Sequence, residues 1–260
     1  MNIKYFPKDD LHNIAIQKIR AVDSIIDIGT GIMPRDHIKA NLYICCEPFK
    51  QYVAELSKNT LKSPLNTQYL VLNTDWAGAL AILPDKSIDT VMLVDVIEHL
   101  TKEEGERLLK DTYRIARKQI VLFTPLGFLL QYLHEGGKDA WGLDGADWQE
   151  HKSGWLPEDF DNSWEIIACK EYHLEDNLGR PMDEPAGAFW AFKNLDDSLG
   201  LPVKAVVDAK AYEGFKSHIL ELTESRDRLQ GQMDKIRSFL PVKVLLYLRR
   251  MIMKLSGKPV

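Results

Sequence analysis

Cysteine is scarce in this 260-residue chain. There are three, two of them adjacent at Cys45 and Cys46, which excludes a disulfide framework and a cysteine-based metal site. No other metal-ligand set stands out, so no metal is expected. Few cysteines and no bridging pattern fit a reducing, cytoplasmic compartment. Long apolar runs are missing too. None reaches the roughly 18 residues of a membrane-spanning helix, and Met1-Asn2-Ile3-Lys4-Tyr5-Phe6-Pro7 has no apolar core of the signal-peptide kind. Acidic residues are absent from residues 240–260, which carry Lys243, Arg249, Arg250, Lys254 and Lys258. The whole chain has a formal net charge of -5, so the body before this tail is more acidic still. An acidic body disfavours nonspecific binding to nucleic-acid phosphates. Nothing singles out a positioned carboxylate pair for glycoside hydrolysis.

What is present is concentrated in residues 24–31, Ser-Ile-Ile-Asp-Ile-Gly-Thr-Gly. Ser24 to Ile28 is an apolar run too short for a helix and reads as a buried parallel strand. Gly29 and Gly31 allow a sharp turn and a close approach of backbone to ligand. Asp27 puts a carboxylate at the strand's C-terminal end, where open α/β sheets bind ligands. Three later runs repeat the pattern: residues 41–46 close on Glu47, 69–74 on Asp75 and 88–94 on Asp95. Glu47, about 20 residues past the glycines, is placed to accept hydrogen bonds from both ribose hydroxyls. One such carboxylate is ordinary at a solvated strand end. Four along one sheet edge, beside a glycine turn, point to a nucleoside site.

The stretches Asp27-Ile28-Gly29-Thr30-Gly31, Glu47-Pro48, Asp75-Trp76, Asp89-Thr90-Val91-Met92 and Asp95-Val96-Ile97-Glu98-His99-Leu100 carry a family resemblance. Over about residues 20–195 the chain resembles a class I S-adenosylmethionine-dependent methyltransferase. The resemblance implies S-adenosylmethionine as cofactor, with Gly29 and Gly31 under its methionine part and Glu47 on the ribose. Asp75 and Trp76 would sit at the adenine, Asp75 accepting from the exocyclic amine. Asp95 would lie beside the sulfonium and amino-acid end. One residue departs from the pattern: the usual third glycine is Met33, followed by Pro34. A dinucleotide fold uses that glycine for close helix–strand packing, so its loss counts against a nicotinamide oxidoreductase more than against a methyltransferase.

The expected fold is α/β. Residues 1–200 form a seven-stranded, mostly parallel Rossmann-like sheet with helices on both faces, followed by a C-terminal α-helical coiled-coil extension. An amphipathic helix over 9–22 covers the sheet or the cofactor mouth. Thr101 and Glu104 make a capping box for a helix whose Leu108, Leu109, Thr112 and Ile115 face the sheet. Gln119 to Phe123 is a fifth strand, and Trp164 to Tyr172 with Gly187 to Lys193 form a closing antiparallel hairpin. Residues 126–163 are rich in Gly, Trp, His and Asp without periodicity and read as a substrate-side insertion or lid. It ends in His151-Lys152-Ser153-Gly154-Trp155, a segment similar to ones in small-molecule and sugar methyltransferases. Residues 201–214 are a linker. Phe215, Ile219, Leu222, Arg226, Leu229, Met233, Ile236 and Leu240 then recur at alternating spacings of four and three, a heptad seam. It serves self-association, or packs one long helix back on the domain. After Pro241, Lys243, Arg250 and Lys254 share one helical face, opposite Leu245, Leu248, Ile252 and Leu255. Residues 241–260 are thus a basic amphipathic tail for an anionic membrane surface, or a helix buried in an oligomer.

Methyl transfer asks the protein for alignment, exclusion of water and removal of the acceptor's proton. His99 and His151 are the candidate bases, although His99 could merely cap the helix that starts near Thr101. His134 is a lesser candidate; His37, His173 and His218 read as structural or solvated. Trp141, Trp148 and Trp155 either stack on a sugar ring or form the small core of the insertion. The expected function is O-methylation of a sugar of a surface polysaccharide or glycolipid precursor. The enzyme would be a cytoplasmic homo-oligomer joined through 215–240 and peripheral on the inner face of the cell membrane. One alternative is another small acceptor such as a quinone or phenol. A non-catalytic methyltransferase-like scaffold is the other, and the intact set of Asp27, Gly29, Gly31, Glu47 and Asp75 argues against it.

Overall fold

The computed structural model describes residues 3–35, 38–63, 67–132, 137–195 and 228. The chain divides into two units, Met1–Val203 and Lys204–Val260. The linker 201–214, the tail 241–260 and, Arg228 apart, the seam 215–240 lie outside the described residues, as do His37, His134 and His218.

Eight strands form one sheet: β1 (Ile3–Tyr5), β2 (Ser24–Ile28), β3 (Leu42–Cys46), β4 (Gln68–Leu72), β5 (Ile88–Val94), β6 (Ala116–Leu126), β7 (Glu165–Glu175) and β8 (Pro181–Asn194). Their order in space is β1-β7-β8-β6-β5-β2-β3-β4. All pairings are parallel except β6 with β8 and β7 with β8. Seven strands were expected. The eighth is β1, a three-residue edge strand that pairs with β7 from Ile3↔Ile166 to Tyr5↔Ala168.

The strands alternate their side chains between two apolar layers. Ile26, Ile28, Val91, Leu93, Ile120 and Leu122 belong to one. Ile25, Met92, Val94, Val121 and Phe123 belong to the other. Because both faces are covered, β5 is buried at every position, as a central parallel strand must be. Helices α3 (Trp76–Ile82) and α4 (Lys102–Ile115) contribute Ala79, Leu80, Leu108 and Ile115 to the first layer. Helices α1 (Lys8–Lys18) and α2 (Lys50–Thr60) contribute Leu11, Ala15 and Leu56 to the second. Helix α1 therefore covers the sheet. Among the described residues no helix joins β2 to β3. Pro34 disfavours helical backbone at Met33, and Met33 stands 60% exposed.

The capping box of α4 is present: Thr101 Oγ1 accepts from the Glu104 N–H, and Glu104 accepts from the Thr101 N–H. One turn on, Gly105 lets the helix lie directly on Trp155. A Cβ there would come within 2.4 Å of the Trp155 ring. No helix of the described residues is long and apolar enough to cross a membrane.

Two effects compete at Gly105. Alanine favours a helix by about 1 kcal/mol, whereas overpacking costs about 1–3 kcal/mol. Trp155 is 1% exposed and fixed by hydrogen bonds to Ile97 and Ser153, so overpacking should win. Gly105→Ala is expected to lower the thermal midpoint; a raised midpoint in a calorimetric scan would contradict this packing.

Candidate active site

From β2 the chain steps outward through β3 and β4, then returns to place β5 on the other side of β2. The strand order reverses there, and the crevice at the C-terminal strand ends is where open α/β sheets take ligands. A cavity of about 800 Å³ occupies it. Gly29, Gly31, Glu47, Asp75, Trp76, Asp95, His99 and His151 all line it.

The floor is the turn after β2. Gly29 and Gly31 have φ of 68° and 70°, a backbone that favours glycine. A Cβ on Gly29 would stand 2.8 Å from Val96, and one on Gly31 would stand 3.1 Å from Trp141. Glu47, just past β3, secures the turn: one carboxylate oxygen accepts from the Gly31 N–H at 2.9 Å and the other from the Phe49 N–H at 2.9 Å. Burial pushes the Glu47 carboxyl up to about 7, against those two hydrogen bonds, which favour the charged form. Asp75 caps α3 by accepting from the Gly78 N–H at 2.8 Å. The Arg107 guanidinium lies 5.1 Å over the Trp76 ring.

Asp27, expected among the cofactor contacts, is not among the residues that line the cavity. Its side chain shares the face of Ile25 and is fully buried. It accepts from the Tyr43 hydroxyl at 2.8 Å, with Arg35 Nε 3.6 Å away. Arg35 itself lines the cavity, so Asp27 acts one layer behind the wall.

At the end of β5, Asp95 takes φ 55°, a left-handed conformation that Asp tolerates better than most residues. Asp95 is exposed to the cavity that it lines, yet the protein around its carboxylate removes enough water to push it upward, and burial does the same to Glu98. The reversal leads into a 3-10 turn, Ile97–His99, which brings Glu98 and His99 back to the cavity. The Lys152 and Ser153 N–H groups donate to the Glu98 carbonyl at 2.7 and 3.1 Å. Ser153 Oγ and the Trp155 indole donate to the Ile97 carbonyl at 3.1 and 3.2 Å. This stitching seats His151 beside His99, with ring centroids 4.9 Å apart.

His99 Nδ1 lies 3.1 Å from the Glu150 carbonyl oxygen, and His151 Nδ1 lies 2.6 Å from that of Leu129. A carbonyl only accepts, so each Nδ1 carries the proton and each Nε2 keeps its lone pair. Burial, then the neighbouring His151, pushes His99 down to about 4. Burial also lowers His151. His99 is therefore neutral at physiological pH and a weaker base than a free imidazole.

Sequence reasoning missed Glu98, a polar residue inside an apolar run. It missed His173 too, which lines the cavity from β7 and is pushed down to about 4, chiefly by burial. Asp139 is a third omission. Its carboxylate accepts from the N–H groups of Trp141, Leu143 and Gly145 and from the Tyr52 hydroxyl of α2. That winds residues 139–145 into a loop with Trp141 over Gly31. Trp141 and Trp148 line the cavity, whereas Trp155 is core.

No family model and no curated protein matches the chain. Among solved structures it is similar to an S-adenosylmethionine-dependent methyltransferase from Archaeoglobus fulgidus, at 18% identity over 72% of this chain and 92% of that one, TM-score 0.45. A methyltransferase described as putative, from Listeria monocytogenes, shares 12% identity over 71% and 97%, TM-score 0.46. Magnesium protoporphyrin IX methyltransferase from Synechocystis, with S-adenosylmethionine bound, shares 15% over 72% and 78%, TM-score 0.41. Superpositions this loose carry no argument for activity, which has to rest on the cavity.

Glu47 gives a signed pH effect. Its folded value of about 7 lies above its ordinary 4.5, so between those values the folded chain holds a proton that the unfolded chain has lost. Stability from this group is complete below about 4.5 and declines as pH rises to about 7. Glu47→Gln should flatten that decline, as read from denaturant midpoints across the window. An unchanged slope would contradict the assignment.

Proposed function

We propose that the chain is an S-adenosylmethionine-dependent methyltransferase acting on an oxygen of a sugar acceptor. The observation that carries this reading is the cavity at the β2–β5 reversal. A glycine cradle with no room for a Cβ and a strand-end carboxylate occupy one half of it, and two neutral imidazoles the other. These residues fit the cofactor. Gly29 and Gly31 would underlie its methionine part, Glu47 would accept from the ribose, and Asp75 and Trp76 would hold the adenine. Asp95 would face the amino-acid end. When bound, the cofactor supplies a methyl group on a sulfonium sulfur, which leaves as a neutral thioether once the acceptor oxygen bonds the methyl carbon.

The chain's own residues do the rest. Trp141, lying over Gly31, excludes water from the cofactor half. The acceptor's hydroxyl proton passes to Nε2 of His99 or His151, a contribution of about 100-fold or more for a positioned base. Trp148, 47% exposed at the cavity wall, offers an aromatic face to a sugar ring. A membrane-borne glycolipid precursor would also account for a basic amphipathic tail, with the seam 215–240 joining several tails in a homo-oligomer.

Calorimetry tests the core of this reading. S-adenosylmethionine or its demethylated product should bind, and NAD should not. Glu47→Ala should weaken binding by roughly 1–3 kcal/mol, the range for a lost charge-assisted acceptor. No binding of either sulfur nucleoside would end the enzyme reading. The tail is tested separately by flotation with vesicles containing anionic lipid. Full-length protein should bind, less so at higher salt, and deletion of residues 241–260 should release it while nucleoside binding persists.

A further inference from the structure

Three donor atoms meet in the acceptor half of the cavity: a carboxylate oxygen of Glu98 and one ring nitrogen each of His99 and His151, all within 4.8 Å of one another. Glu98 is 2% exposed. One of its oxygens accepts from Thr124 Oγ1 at 3.0 Å, and the other, Oε1, is buried with no hydrogen-bond partner. A buried carboxylate oxygen left bare is costly, and a cation is the partner that would relieve it. Each imidazole commits Nδ1 to a backbone carbonyl, that of Glu150 or Leu129. This fixes the ring and leaves Nε2 as the donor, the way metal-ligating histidines are generally oriented. Thr124 steadies the carboxylate in the same manner.

We propose that Glu98, His99 and His151 bind a divalent first-row transition-metal ion whose open coordination positions face the methyl-transfer cavity. Two imidazoles and one carboxylate suit zinc, manganese or iron(II) and suit magnesium or calcium poorly, since those ions favour oxygen ligands. The three atoms must draw in by roughly 1 Å to reach bonds of about 2.0–2.2 Å. Gln131, which donates to His151 Nε2 at 3.1 Å, must yield that nitrogen. Three protein ligands then leave room for an oxygen from outside the chain. The significance of the ion rests on the methyltransferase reading: it would hold the acceptor's oxygen and lower its hydroxyl pKa, and with both Nε2 atoms on the ion the proton would pass to solvent in place of an imidazole. The site itself does not depend on that reading.

The test uses full-length protein stripped of metal with a chelator. It is titrated with Zn²⁺ alone by calorimetry, and with Co²⁺ while visible absorption is followed. One Zn²⁺ per chain and new Co²⁺ d–d bands are expected. Glu98→Gln and His151→Ala should each weaken Zn²⁺ binding by more than about 100-fold, beyond what loss of a supporting contact costs. Binding of S-adenosylhomocysteine to the same preparations should be unchanged, which also reports an intact fold. Gln131→Ala, which frees His151 Nε2, should bind Zn²⁺ at least as tightly as the wild type. Wild-type protein that takes up no Zn²⁺ would overturn the proposal, and so would variants of Glu98 and His151 that bind it undiminished. Should those two variants fail to fold, weaker Zn²⁺ binding by Gln131→Ala would overturn it as well. Nucleoside binding without Zn²⁺ binding removes the ion site and leaves the methyltransferase reading. The converse result removes that reading and leaves the ion site.

Discussion

Two carbonyl oxygens, those of Ile97 and Glu98, hold the histidine half of the cavity together. Between them they accept four hydrogen bonds from Lys152, Ser153 and Trp155, more than fifty residues along the chain. Each bond is worth only about 0.5–1.5 kcal/mol net. They are largely buried, however, so losing one strands a polar group at greater cost. No helix or strand is shared by His99 and His151. Their adjacency exists because the segment carrying one is stitched to the turn carrying the other. Trp155 is the deepest stitch, and it fits because α4 has a glycine where the indole presses on it. A glycine on the face of α4 that meets Trp155 thus bears on the spacing of two imidazoles.

The two halves of the cavity handle buried charge in opposite ways. In the half beside the glycine turn, burial pushes Glu47 up, and backbone N–H groups from two segments hold its carboxylate in place. Behind it, Asp27 is satisfied by Tyr43 and by Arg35, whose Nη2 also donates to the Val94 carbonyl at 3.2 Å. Arg35 thereby ties the buried carboxylate of β2 to the end of β5 and offsets part of the burial acting on Asp95. In the histidine half, the imidazoles are neutral and one oxygen of Glu98 has no hydrogen-bond partner. Carboxylates held by fixed donors suit a ligand with hydroxyls to give. A carboxylate oxygen without a donor, beside imidazole lone pairs of which only that of His151 meets one, from Gln131, suits a proton or a cation.

Much of the fold was legible because strands buried on both faces are continuous apolar runs. Ser24–Ile28 and Ile88–Val94 were read with their observed bounds, and the capping box at Thr101 announced α4. Strand β1 was not legible, since three residues carry no period and its partner lies 163 residues away at Ile166. The place of Asp27 behind the cavity wall has a reason the sequence contains. With a period of two, Asp27 points with Ile25 toward the α1–α2 layer. Asp139 was not legible because three of its four partners are backbone N–H groups of its own loop and the fourth, the Tyr52 hydroxyl, lies 87 residues away, which no local side-chain pattern reports.

The segment from His151 to Trp155 illustrates how much a short spacing can specify. Its burial alternates: His151, Ser153 and Trp155 are buried, while Lys152 is exposed and Gly154 intermediate. That is the period of an extended chain, and it puts the three side chains on one side. Trp155 and Ser153 supply the anchors, and His151 is carried to the cavity because it is next in the same register. Gly154 is needed where the segment crosses Phe128, since a Cβ there would meet the Phe128 backbone nitrogen at 2.5 Å. Inserting or deleting one residue between His151 and Ser153 would turn the imidazole away while leaving the anchors in place. The motif is thus a positioning device, two side chains that bind the protein and one that faces the site, and the chemistry of His151 depends on the parity of its neighbours.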